Sequence, residues 1–380
     1  CSRSPCALAD TRDSNGFIAF VNAIHLGHSS VVETLINKWR VNIHIQNEYK
    51  VTSLQLAAYK GHLQVVNILL DHGANVNSVN IEGYTALHLS AGNGHDVISE
   101  ALIQKGAETN CKDKYHNTPL HFAATKTCNE KTIQILLKHG ANVNETGEFK
   151  RTALHIASTA GDGPMIEALL QKGADVNAQD NDGTTALHQA VDGNHKAAVE
   201  ILLDDKYKAK VNLLDNNNHS ALITSGHRLV VEALLKNKDV DINIKNKEGL
   251  NLLYNAALGG DELIAKALIE GGIKVADCVQ NISPLSIAIH FGHTKFVEVL
   301  LENGAVLSPN FTPLHYAVDV NKPNIVEMLL LRGANSNIRD NNTNNITPLE
   351  LAVLKNQIKN TTLMLQQEGV RINERGYNNK

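Results

Sequence analysis

Residues 80–95 read Asn-Ile-Glu-Gly-Tyr-Thr-Ala-Leu-His-Leu-Ser-Ala-Gly-Asn-Gly-His, and this stretch carries the pattern that decides the fold. Its order of Thr, Leu-His and Gly-His returns along the chain every 29 to 35 residues. A chain of 380 residues is too long for one compact core, so this period indicates about eleven stacked repeats. The positions equivalent to the threonine are Ile18, Thr52, Thr85, Thr118, Thr152, Thr185, Ser220, Asn251, Ser283, Thr312 and Thr347.

The start of each repeat has the residue types of a helix N-terminus. In the fourth repeat, the Thr118 hydroxyl is placed to accept a hydrogen bond from an unpaired backbone amide, and Pro119 occupies the first helical position. Ala123 and Ala124 follow, and their small side chains allow a neighbouring helix to approach closely. The pattern therefore predicts a short first helix in each repeat.

A second helix carries the apolar stripe of each repeat. In the second repeat it follows the turn Gly61-His62, with Val65, Val66, Leu69 and Leu70 at helical spacing. Neither helix can bury its apolar face alone. Stacking each helix pair on the next solves this problem and makes nearest-neighbour interfaces the source of stability.

The second helix is followed by Gly-Ala-Asn-Val-Asn, as at residues 73–77 and 140–144, where Gly suits the left-handed position that ends a helix. With these motifs, the sequence from about Gly16 to Asn373 resembles the ankyrin-repeat family, whose pattern is Gly-x-Thr-Pro-Leu-His-x-Ala-Ala, Gly-His, Leu-Leu and Gly-Ala-x-Val-Asn. The resemblance implies an all-α repeat solenoid of helix-turn-helix units with β-hairpin fingers. It also implies protein recognition by the fingers and the concave helix face, because the family has no shared catalytic residues.

The repeat pattern weakens near residues 204–245 and 304–312. In the seventh repeat four positions separate Leu222 from Gly226, whereas seven separate Leu54 from Gly61, so the first helix is expected to lose most of a turn. We expect a weak interface or bend near the first stretch and a missing finger in the second. The predicted organisation is a non-repeat segment 1–15, the repeat domain 16–373, whose eleventh repeat reads as a cap, and a C-terminal tail 374–380.

Composition excludes several classes of partner. The net charge is −4 and no long block of Lys or Arg occurs, which argues against nucleic acid. No stretch approaches the roughly 18 apolar residues that a membrane-spanning helix needs. The five cysteines are scattered and are expected to be free thiols in a reducing compartment. Only the first two are close enough in sequence for a local disulfide. The cysteines are Cys1, Cys6, Cys111, Cys128 and Cys278.

Eighteen histidines invite a metal hypothesis, which their spacing argues against. Equivalent residues on stacked helices lie about 8–10 Å apart, whereas zinc ligands lie about 2 Å from one ion. We therefore expect a structural role for His88, His121, His155, His188 and His315, and a turn role for His62, His95, His227 and His293. Residues 92–97 half-resemble a dinucleotide loop but are interpreted as a turn. No catalytic motif occurs, so we expect no enzyme, no cofactor and no metal.

Tyrosines and basic residues cluster on repeats two to five, at the expected finger tips and first-helix ends, where specificity is expected in a repeat scaffold. The hypothesis is that basic residues of this surface meet an acidic segment of a partner; the alternative is that the tyrosines merely cover the finger bases. The predicted binding residues are Tyr49, Tyr59, Lys60, Tyr84, Lys114, Tyr115, Lys126, Phe149 and Arg151. A second surface is considered at His290 and Phe291, with Tyr316 interpreted as structural.

The leading interpretation is a monomeric, cytoplasmic, non-catalytic scaffold or adaptor that binds a protein of unknown identity. The alternative is the ankyrin-repeat portion of a larger secreted toxin or host-directed effector, because spider latrotoxins and proteins of intracellular bacteria also contain such arrays and because this chain is rich in Asn and does not begin with Met.

Overall fold

The computed structural model describes residues 17–126, 129–276, 279, 282–305, 312–339, 345–367 and 369–372. Two compact units, divided between residues 210 and 211, contain them. The predicted segments 1–15 and 374–380, the finger expected to be missing before Thr312, and four of the five cysteines lie outside the described residues. Cys111, the remaining cysteine, is a free thiol, as expected.

Eleven helix pairs occupy the described residues, and odd and even labels denote first and second helices. Unit 1 contains α1 (Phe17–Leu26), α2 (Ser29–Trp39), α3 (Ser53–Lys60), α4 (Leu63–Asp71), α5 (Ala86–Asn93), α6 (Asp96–Gln104), α7 (Pro119–Ala124), α8 (Glu130–Lys138), α9 (Ala153–Ala160), α10 (Gly163–Gln171), α11 (Ala186–Asp192) and α12 (Lys196–Leu202). Unit 2 contains α13 (Ala221–Thr224), α14 (Arg228–Leu235), α15 (Leu252–Gly259), α16 (Glu262–Glu270), α17 (Pro284–Phe291), α18 (Thr294–Glu302), α19 (Pro313–Asp319), α20 (Pro323–Leu331), α21 (Pro348–Leu354) and α22 (Ile358–Leu365). Short 3₁₀ helices lie at Glu148–Lys150 and Asp205–Tyr207.

Seven first helices begin at capping boxes, and the N-cap residue of each is the Thr or Ser that the sequence pattern marks. In the third repeat, the Thr85 hydroxyl accepts from the backbone N–H of His88 at 3.3 Å, and His88 Nδ1 accepts from the Thr85 N–H at 3.1 Å. Two amides that the helix itself leaves unpaired are thereby satisfied. The same arrangement occurs at Thr52, Thr118, Thr152, Thr185, Ser283 and Thr347.

The core of each repeat is the apolar stripe of the second helix packed against the alanines of the first. Val65, Val66 and Leu69 of α4 are fully buried, and so are Ala57 and Ala58 of α3. Because the alanines carry no bulk beyond Cβ, the first helices of consecutive repeats can pack closely. Each repeat is thus stabilised by its neighbours within the unit.

The fingers differ from the paired strands expected. Within the described ranges, β-pairing is limited to three isolated antiparallel bridges, Gln46 with Thr52, Leu214 with Ser220 and Val279 with Ile282. Most described fingers are instead five-residue turns closed by a side-chain hydrogen bond, which leave no length for a ladder.

The first helix of the seventh repeat is shortened. The helix α13 has four residues, which confirms the lost turn. In the eleventh repeat Val353 and Leu354 are 60% and 73% exposed. No helix of the described residues is long and apolar enough to cross a membrane.

Candidate docking surface

Six of the described fingers are held by the side chain of their first residue. In the third repeat, Asn80 Oδ1 accepts from the backbone N–H groups of Glu82 at 3.0 Å and Tyr84 at 2.9 Å. The Asn80 N–H donates to the Tyr84 carbonyl, and the Gly83 N–H donates to the Asn80 carbonyl. Four hydrogen bonds therefore fix five residues. The same role belongs to Asn47, Asp113, Asp180, Asp215 and Asn246.

Neighbouring fingers of unit 1 are joined by backbone hydrogen bonds. The Ile81 N–H donates to the Tyr49 carbonyl at 3.1 Å, and the Asn181 N–H donates to the Phe149 carbonyl at 2.8 Å. The fifth finger begins with Gly147, which has no side chain to close it. A Cβ at Gly147 would lie 2.2 Å from Asn117 Oδ1, which accepts from the Glu148 N–H, so a larger residue there would displace this side chain from its hydrogen bond.

In several repeats the side chain three residues after the N-cap ties that repeat to the next. His88 Nε2 donates to the Asn117 carbonyl at 3.1 Å, since Nδ1 already accepts from Thr85. His121, His155 and His315 make the equivalent bond, which confirms the structural role predicted for them. Gln55 and Tyr254 do the same, donating to the Tyr84 and Ile282 carbonyls, although neither residue is part of the Leu-His motif that signals this role in the sequence. His188 contacts the cap of its own helix.

Burial keeps His88 neutral at pH 7. Desolvation lowers the pKa of His88 to about 4, although its bond to the Asn117 carbonyl acts in the opposite direction. Burial also lowers the pKa of His121 and His155. A neutral imidazole with its proton on Nε2 is the form that the two hydrogen bonds require.

The turn histidines form a second set of ties. His62, His95 and His293 place Nε2 at 3.1–3.2 Å from carbonyls of His25, Tyr59 and Leu258 in the preceding repeat. Their predicted turn role is confirmed. His227 is exposed and makes no such bond among the described residues, because its loop follows the shortened α13.

The predicted aromatic residues occupy two environments. Tyr115 and Phe149 are 40% and 57% exposed at finger tips, and Tyr49 is half-buried at the equivalent tip position. Tyr84 instead lies at a finger base, where its ring packs edge-on against Phe122 with centroids 5.0 Å apart, and burial raises its pKa. Phe122 was missed in the sequence because its position reads as an ordinary helix residue.

Two of the four predicted basic residues already have acidic neighbours within the protein. Lys114 forms an ion pair with Glu82, and this hydrogen bond raises the pKa of Lys114. Arg151 Nε lies 3.3 Å from Asp180 Oδ2, whose side chain is buried. Lys60 and Lys126 pair with no carboxylate of the described residues. Lys60 lies 5.8 Å from the Tyr59 ring centroid, and Lys126 Nζ lies 3.4 Å from Asn93 Oδ1.

The second surface considered from the sequence lies in unit 2. Phe291 is 53% exposed, and its ring stacks on His293 and meets His290 edge-on. The Tyr316 hydroxyl lies 3.4 Å from His290 Nδ1. Within the part of the chain that the structure describes, no group of three or more His, Cys, Asp or Glu side chains is arranged to hold a metal ion.

Helix pairs stacked through capping boxes, with turns projecting between them, define a helical-repeat protein. Family models named "Ankyrin repeats (3 copies)" match residues 5–80, 73–147, 128–217 and 218–310, and a model named "Ankyrin repeat" matches residues 309–341. The chain belongs to the ankyrin-repeat family.

Known proteins resemble parts of the chain. The putative ankyrin repeat protein FPV031 of fowlpox virus is 41% identical over 81 residues, which cover 20% of this chain and 23% of that protein. A transient receptor potential channel A1 homologue of Caenorhabditis elegans is 30% identical over 145 residues, which cover 36% of this chain and 12% of that protein. Alpha-latrotoxin-Lg1a of Latrodectus geometricus is 31% identical over 107 residues, which cover 26% of this chain and 8% of that protein. The chain thus spans less than a quarter of each of these relatives.

A solved structure supports the fold. The human ASB11 ankyrin repeat domain aligns with a TM-score of 0.54 and 25% sequence identity, covering 60% of this chain and all of that one.

Proposed function

We propose that this chain is a non-catalytic scaffold that binds a protein partner through the fingers and first helices of repeats two to five. Ankyrin repeats are general protein-interaction modules, and this property of the family is the starting point. The observation that carries the proposal is the exposure of Tyr115 and Phe149 on finger tips whose backbone is fixed by hydrogen bonds.

Exposed aromatic side chains on a rigid backbone favour binding. Tyr and Phe bury a large area with few rotatable bonds, and Tyr is among the residues most enriched in interface hot spots. The fingers are already ordered, so a partner need not supply the free energy of ordering them. We include Tyr49, Tyr59, Tyr84, Lys60 and Lys126 in the proposed surface. Lys114 and Arg151 also belong to the proposed surface, and each is held there by an ion pair within the protein.

The test is an affinity capture from source-cell lysate with three chains. One is the parent, one carries Tyr49→Ala, Tyr115→Ala and Phe149→Ala, and the matched control carries Phe291→Ala in unit 2. The three tip side chains lie outside the core, so we expect the triple variant to unfold at the parent's midpoint. We expect it to lose at least one protein that the parent and the control retain.

Each other outcome is informative. A protein lost only with Phe291→Ala would move the site to the second surface. Identical captures by all three chains would contradict the proposed surface, and capture of nothing by any chain would contradict the scaffold role.

A second candidate function is part of a larger secreted toxin, which the 31% identity with alpha-latrotoxin-Lg1a supports. The complete reading frame distinguishes the two, because a secretory leader favours the toxin. For the scaffold we propose a monomer in a reducing compartment, which the free Cys111 thiol supports. Sedimentation of the purified chain at several concentrations tests the monomer.

A further inference from the structure

The fourth residue of every described finger adopts a left-handed backbone, and its identity divides the fingers into two groups. In most fingers this residue is of a type that tolerates the conformation, Gly or Asn. These are Gly83, Gly183, Asn218, Gly249 and Asn345, with φ between 60° and 83°. In fingers two, four and five it is instead Lys50, His116 and Lys150, with φ of 56°, 66° and 58°.

The same division appears at the third residue of each finger. Next to Lys50, His116 and Lys150 stand Tyr49, Tyr115 and Phe149, respectively. Next to the glycines stand acidic residues instead, namely Glu82, Asp182 and Glu248. Three tips therefore present an aromatic residue followed by a basic one, and the glycine-containing tips do not.

The basic residues at these tips do not stabilise the fold. A lysine in the left-handed region costs stability relative to glycine, and a histidine costs less. Lys50, His116 and Lys150 are exposed, and none forms an ion pair with a described residue. Backbone strain that no contact within the folded protein offsets is typical of functional positions. Lys208 and Arg40 are also left-handed, but they lie outside the fingers.

The charge around the three tips is positive although the whole chain carries −4. The helices α3, α5, α7 and α9 contain no carboxylate. Among the fingers of repeats two to five, three acidic side chains have no ion pair to a described residue: Glu48, Glu148 and Asp113. Asp113 is buried and accepts from the backbone N–H groups of its own finger, so Glu48 and Glu148 are the exposed ones. Opposing them are the unpaired lysines of this face, namely Lys50, Lys60, Lys126 and Lys150.

We propose that the tip pairs Tyr49-Lys50, Tyr115-His116 and Phe149-Lys150 are the specificity determinants of the docking surface, and that they bind an acidic segment of the partner that also carries apolar side chains. The aromatic rings bury the apolar groups, and the basic residues meet the carboxylates. This inference rests on the proposed function and names the partner's chemistry.

The test uses a phage-displayed library of random 16-residue peptides, selected on the full chain. We expect enriched peptides to carry net negative charge and apolar residues. Their synthetic forms should bind a Lys50→Asn, His116→Asn, Lys150→Asn variant about tenfold or more weakly, because exposed charge contacts contribute modestly and there are three of them. The thermal midpoint of that variant should equal or exceed the parent's, since Asn is the residue that other fingers use.

Asn218→Lys in unit 2 is the matched control, and it should lower the thermal midpoint without changing peptide affinity. Enrichment of neutral or basic peptides, absence of enrichment, or equal affinity for parent and Asn variant would each overturn the inference. If the aromatic triple variant loses the captured partner and the Asn variant retains it, the proposed docking surface is supported, but the inference that it binds an acidic segment is wrong.

Discussion

The two units differ in how continuously one repeat is tied to the next. In unit 1 every capping box from the second to the fifth repeat supplies a donor to the following finger, namely Gln55, His88, His121 and His155. In unit 2, Tyr254 and His315 play this part. Ile223 stands at the equivalent position of the seventh repeat. The first helix there has four residues, and Ser220 Oγ is buried with no hydrogen-bond partner among the residues that the structure describes.

This difference shows which feature makes the fingers regular. Both units stack helices with apolar cores, so core burial alone does not distinguish them. A buried donor that satisfies a carbonyl of the next finger fixes that finger relative to the helix, and losing it leaves a buried polar group unpaired. The proposed docking surface lies where these donors are uninterrupted.

The largest expected effect is the difference in stability cost between a Gly→Ala substitution at a Gly-His turn of unit 1 and one at a Gly-His turn of unit 2. Gly94 has φ 74°, and a Cβ there would lie 2.2 Å from Asn129 Oδ1, whose buried amide donates to the Ala91 and Ala123 carbonyls. Gly94→Ala should therefore cost about 4 kcal/mol from backbone strain and disrupted hydrogen bonds. Gly226→Ala, at the same motif position of unit 2, meets no atom within 4 Å and should change stability by less than about 0.5 kcal/mol. Urea unfolding measures both, and equal costs would contradict the comparison.

A smaller effect concerns acid stability of unit 1. The folded-state pKa of His88, about 4, lies below the unfolded value, so its contribution is complete above about pH 6.5 and is lost as pH falls toward 4. His88→Gln keeps the ties, because Gln55 already makes them with an amide that does not titrate. Between pH 7 and 4.5 the parent should lose about 2 kcal/mol more than this variant. Parallel unfolding curves at the two pH values would show that His88 is not the titrating group.

The smallest expected effect comes from giving the seventh repeat the hydrogen-bonding side chain that it lacks. Ile223→His places an imidazole where it can accept from the Ser220 cap and donate to the Leu250 carbonyl, as His88 does in its own repeat. We expect a gain of about 1 kcal/mol, because the new hydrogen bonds outweigh the lost apolar burial. Ile223→Met is the control that fills the site without hydrogen bonds, and it should give no gain in urea unfolding.

Much of the fold could be predicted because the caps are local signals. Thr, the following His and the turn Gly lie within a few residues of one another, and their roles followed from backbone amides that any helix leaves unpaired. The pairing of Lys114 with Glu82 and of Arg151 with Asp180 could not be predicted, since the partners lie about one repeat apart and their distance depends on finger geometry. The left-handed backbone at Lys50 and Lys150 could not be predicted either, because neither position carries the glycine that usually signals this conformation in a sequence.

The most direct test of the central claim is photo-crosslinking from equivalent finger tips of the two units. A benzoylphenylalanine replaces Tyr115 in one chain and Asn217 in another, and each is irradiated in source-cell lysate. We predict a protein adduct from position 115 that excess parent chain suppresses and the aromatic triple variant does not, with no such adduct from position 217. An adduct from position 217 alone, or one from position 115 that both competitors suppress equally, would contradict the assignment of the docking surface to repeats two to five.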